Sequence, residues 1–79
     1  MFWNELYNSL LTAEELSRSN NPEISGMGMV ARNLLLDAEA QGEVLEDLDS
    51  SIIPYANPVR LLHQAQGILT QLSMEKDHG

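Results

Sequence analysis

Between two Asn-Pro steps, Asn21-Pro22 and Asn57-Pro58, eight positions recur at strictly alternating intervals of four and three. They are Met27, Ala31, Leu34, Ala38, Gln41, Leu45, Leu48 and Ile52, and seven of the eight are apolar. Steps of four and three return to one side of an α-helix, so the pattern reads as a coiled-coil-like seam. A half-buried strand needs alternation by two, which no stretch of the chain sustains. Val30 and Leu35 widen the seam in its first half. Ala38, Gln41 and Gly42 narrow its middle, where a neighbouring helix can come close.

The rest of the chain divides around this element. A first helix is expected over about residues 2–18, with Trp3, Leu6, Leu10 and Ala13 at helical spacing. Thr12-Ala13-Glu14-Glu15 also reads as a capping box, which leaves a second reading open: a separate short helix over 1–11 and a restart at Thr12. Ser19-Asn20-Asn21-Pro22 ends the segment, because asparagine favours turns and proline cannot continue a helix. The second helix is expected over about 25–49, with Ser25 or Asn21 as its cap. Gly26 and Gly28 weaken its first turns and offer room for another backbone. Residues 50–57 form a turn anchored by Ile52, Ile53 and Tyr55. Asn57-Pro58 then opens a third helix over about 58–74, striped by Leu61, Leu62, Ala65, Ile68, Leu69 and Leu72, with a frayed tail over 75–79.

The expected fold is all-α: one domain over residues 1–79, a small three-helix bundle built on an antiparallel hairpin of the second and third helices. At about 1.5 Å per residue the second helix would reach about 36 Å and outrun its neighbours. Its uncovered seam motivates a dimer or a heteromeric complex.

Charge narrows the function. Twelve acidic and four basic side chains give a formal net charge of −8. The basic residues, Arg18, Arg32, Arg60 and Lys76, are scattered singly, which argues against direct contact with nucleic acid or an anionic membrane. The chain has no cysteine, which fits a reducing compartment. Its start lacks the basic and long apolar regions of a signal peptide, so a cytoplasmic location is expected.

Chemistry finds little purchase. His63 and His78 are far apart, and no carboxylate lies one turn from His63 to orient it as a base. Asp47, Asp49 and Ser51 imitate the start of a calcium-binding loop, but its glycine position holds Ile52 and its final acid position holds Pro58. No phosphate-cradling loop or nucleophile motif is present. The chain is read as a non-enzyme without catalytic, cofactor or metal residues.

Two surfaces remain as candidates. From Leu61 to Met74 there is no Asp, Glu, Lys or Arg. Charge depletion marks interface cores, whereas a solvated helix face normally carries charge. Three of the four aromatics crowd the start of the chain, as Phe2, Trp3 and Tyr7. The apolar candidate set is therefore Trp3, Tyr7, Leu61, His63, Gln64, Ile68, Gln71 and Leu72. The acidic set is Asp37, Glu39, Glu43, Glu46 and Asp47. The first reading is a protein-binding module such as a small adaptor, chaperone or inhibitor. The alternative is an acidic nucleic-acid mimic, such as a phage-encoded inhibitor of a nucleic-acid-binding defence enzyme.

Overall fold

Asn21 fixes where the second helix starts. Its Oδ1 accepts a hydrogen bond from the Glu23 N–H at 2.9 Å, and its carbonyl accepts from the Ser25 N–H at 2.9 Å. Pro22 then occupies the first helical position, where the missing N–H has no intrahelical partner to lose. The structure, a computed structural model, describes the backbone of residues 2–43 and 57–78 and the side chains of 2–43 and 57–75. Within these lie three helices, α1 (Phe2–Ser17), α2 (Pro22–Glu43) and α3 (Asn57–His78).

The described residues form a compact three-helix bundle. A tight turn joins α1 to α2. The Arg18 N–H donates to the Glu15 carbonyl and the Ser19 N–H to the Leu16 carbonyl, which closes the last turn of α1. Ser19 Oγ then accepts from the Asn21 N–H. The two helices run antiparallel: Ser17 faces Gly28, Glu14 faces Arg32, and Tyr7 lies near Glu39. α2 is the central element and packs extensively against both α1 and α3.

Burial follows one rule in all three helices. Phe2, Leu6, Ala13 and Leu16 point inward from α1, with half-buried Ser9 completing the four-three spacing. Ile24, Gly28, Ala31, Leu35, Ala38 and Gly42 do so from α2. Pro58, Leu62, Ala65, Leu69 and Leu72 do so from α3. Such spacing is what helices crossing at a shallow angle require, because knobs then meet holes turn after turn. Among the described residues, the core contains no polar or charged side chain.

Several expectations need correction. α2 starts at Pro22 and not near Ser25, because Asn21 supplies the cap. The inward stripe of α2 keeps Ala31 and Ala38 from the expected seam but takes Gly28, Leu35 and Gly42 in place of Met27, Leu34 and Gln41. Met27 is 42% exposed, Leu34 is only half-buried and Gln41 is exposed, while Gly28, Leu35 and Gly42 are buried. The reason is the close approach of α1. A Cβ on Gly28 would stand 2.8 Å from the Ser17 backbone N and 3.0 Å from the Leu16 carbonyl C. Only glycine fits where two backbones come this near, so the larger Met27 turns to the flank. Thr12 is not a cap: α1 runs unbroken through it, and its Oγ1 donates to the Asn8 carbonyl at 3.3 Å. The third helix also passes residue 74 and continues to His78, its late turns lying beside the start of α2. The expected seam positions Leu45, Leu48 and Ile52, the end of the second helix at 44–49 and the turn at 50–56 lie outside the described residues.

Candidate functional site

Three helices leave three outer grooves, and their chemistry differs. α3 borders two of them. On its α2 side, Ile68 and Leu72 face Met27 and Val30 across a groove of about 520 Å³, with Glu23 and Glu75 at its rim. Met27 and Val30 are exposed, Ile68 is half-buried, and Leu72 forms the buried floor. Farther along the same helix pair, a second depression of about 290 Å³ is lined by Gln41, Arg60, Leu61 and Gln64. Half-buried Leu34 and Leu61 also pack against the core.

On its α1 side, α3 presents Gln66, Thr70 and Ser73. They meet Asn8, Ser9 and Thr12 around a groove of about 420 Å³ floored by Leu69. This lining carries hydroxyls and amides but no ionisable side chain.

The groove between α1 and α2 holds an ion pair. Arg32 Nε lies 3.9 Å from Glu14 Oε1, with both side chains more than two-fifths exposed. A pair this long and this wet contributes little to stability. Tyr7 belongs here too. Partial desolvation, then the carboxylate of Glu39 and its hydrogen bond, then the charge of Glu43 raise its hydroxyl pKa above the ordinary 10.0. Trp3 stacks on Tyr7 with ring centroids 6.0 Å apart, and Phe2 meets Trp3 edge-on at 5.0 Å. The aromatic start of the chain therefore grades outward: Phe2 is in the core, Trp3 half-buried and Tyr7 exposed.

The apolar candidate set thus splits between surfaces. Leu61, Gln64, Ile68, Gln71 and Leu72 line the two depressions between α2 and α3. Leu72 is buried and acts as floor. Trp3 and Tyr7 stand at the α1–α2 groove. His63 is exposed, two turns before Thr70 and therefore on the flank away from Ile68. The acidic set splits as well. Asp37 lies two turns after Val30, on the α3 side of α2, whereas Glu39 and Glu43 approach Tyr7 on the α1 side. Glu46 and Asp47 lie outside the described residues.

Sequence reasoning assigned Met27 to the buried seam and gave Glu23 and Glu75 no role. A signal was present: Met27, Met29 and Val30 supply more apolar surface than one helical stripe can bury.

Among the described residues, no group of three or more His, Cys, Asp or Glu could hold a metal ion. No described helix is long and apolar enough to cross a membrane. No family model matches the sequence, and no curated protein or solved structure matches it either.

Proposed function

We propose that this chain is a non-catalytic protein-binding module, an adaptor, chaperone or inhibitor, that works through the groove between α2 and α3. The observation that carries the reading is the apolar wall formed by Met27 and Val30 opposite Ile68, on a helix without charge from Leu61 to Met74. Desolvating such a wall favours association, while the carboxylates of Glu23 and Glu75 stay at its rim. The exposed acids support the nucleic-acid mimic less well. A mimic needs its carboxylates on one face, and Asp37 stands across α2 from Glu39 and Glu43.

A position-specific crosslink tests the reading. A photoreactive residue in place of Val30 is expected to capture one partner in host extract, and Ile68→Asp in the same chain is expected to abolish the product. The same photoreactive residue in place of Thr70, in the polar groove, should capture none of it. A product from position 70 and none from position 30 overturns the assignment. If joint neutralisation of Glu39, Glu43, Glu46 and Asp47 abolishes capture while Ile68→Asp does not, the mimic reading takes its place.

A further inference from the structure

We infer that the occupant of the α2–α3 groove is an amphipathic helix of another protein, with an apolar stripe at three- and four-residue spacing and basic side chains at the end that meets Glu23 and Glu75. This rests on the reading of that groove as the binding surface.

Backbone chemistry selects a helix. Both walls of the groove are helices, whose backbone N–H and C=O groups are already paired within them. An extended segment laid there would leave its own backbone groups without partners as water withdrew. A helix brings its backbone satisfied and offers only side chains, the usual mode for a groove between helices. The walls also have the right periodicity. Met27, Val30 and Leu34 on α2 and Leu61 and Ile68 on α3 form two antiparallel ridges, and the furrow between such ridges accepts a third. From Glu23 in the first depression to Gln41 in the second, α2 runs about 27 Å, the length of a helix of about 18 residues.

Charge selects the partner's flanks. Glu23 and Glu75 line one end of the groove, and Asp37 stands on the same side of α2, nearer the other end. Arg60 lies at the opposite end. A second copy of this chain would bring a further net charge of −8 toward these acids. A basic helix instead gains at the rim what the apolar floor cannot supply, which is steering and register.

The test uses the full chain and two synthetic 18-residue amphipathic peptides with identical leucine positions, one flanked by lysine and one by glutamate. Binding is read by fluorescence anisotropy, and each protein variant is first checked for its helical circular dichroism. The lysine peptide should bind about tenfold or more tightly than the glutamate peptide. Ile68→Asp and Val30→Asp should each weaken it by about tenfold, as loss of a central apolar anchor does; exposed Val30 serves if the Ile68 variant fails to fold. Glu23→Lys with Glu75→Lys should lower the preference for lysine by about fivefold, the scale of two exposed ion pairs. Glu5→Lys with Glu43→Lys changes net charge equally, away from the groove, and should move it less than about twofold. An equal response to both double variants means attraction to net charge alone and overturns the inference. So does equal binding of the two peptides; if Ile68→Asp still weakens both, the groove remains the binding surface and only the partner class falls. Indifference to both Ile68→Asp and Val30→Asp removes the groove itself.

Discussion

The two grooves that flank α3 share one helix and differ in almost everything else. On one side α3 offers Ile68 and meets Met27 and Val30; on the other it offers Gln66, Thr70 and Ser73 and meets Asn8, Ser9 and Thr12. The charge-free stretch from Leu61 to Met74 therefore has two meanings. Toward α2 its neutrality is largely apolar, Ile68 and Leu72 with Gln71 beside them, and water at the apolar part is more easily displaced. Toward α1 its neutrality is that of amides and hydroxyls, which hold water well. A run without charge thus borders an apolar groove only on the flank where the neighbouring helix is also apolar.

The largest effect should come from removing what both grooves stand on. Leu62 is 1% exposed and lies on the inward stripe of α3. Leu62→Ala should cost about 3 kcal/mol through lost transfer energy and a cavity. In urea unfolding, a cost below about 1 kcal/mol would mean that the two grooves do not share one core.

The next effect separates two glycines only two residues apart in the chain. Gly28 touches the backbone of α1, whereas a Cβ on Gly26, beside the apolar groove, meets nothing within 4 Å. Gly28→Ala should cost about 1–3 kcal/mol, since backbone and not a flexible side chain must move. Gly26→Ala should gain up to about 1 kcal/mol from helix propensity. Equal effects would show that α1 does not press on α2 where the structure places it.

The smallest effect lies in the third, charged groove. Tyr7 has a folded pKa above its unfolded one, so its contribution to stability is complete below pH 10 and is lost as pH rises through the folded value. Glu39→Gln should bring the Tyr7 titration, followed by carbon NMR of the labelled ring, back toward the ordinary value. A titration that does not move would detach Glu39 from Tyr7.

Much of the fold is legible without coordinates, and particular residues show why. Asn21-Pro22 and Asn57-Pro58 act locally, through a cap and a restricted φ, so they mark helix starts wherever the helix later packs. Ala31 and Ala38 are read as inward and are inward. Gly28 is read as room for another backbone and does meet that of α1, but Gly26 is read alike and a Cβ there meets nothing within 4 Å, because glycine carries no apolar signal to say which one faces a neighbour. The apolar groove was half legible. Ile68 and Leu61 lie on an evident stripe, but Met27 looked like core until Gly28 took that place. Nothing in the spacing of Glu23 and Glu75 connects them, since they lie on different helices and come to one groove only through the antiparallel pairing of α2 and α3.

The sequence by itself determined that the described residues are helical, that they form three helices, and roughly where each begins, because caps, prolines and four-three spacing act within a few residues of one another. Tertiary structure alone decided which of two adjacent stripes on α2 faces inward. That choice depends on the distance between backbones at Gly28, a quantity no single helix contains. The same choice left Met27 and Val30 outside, opposite Ile68, and so made the groove.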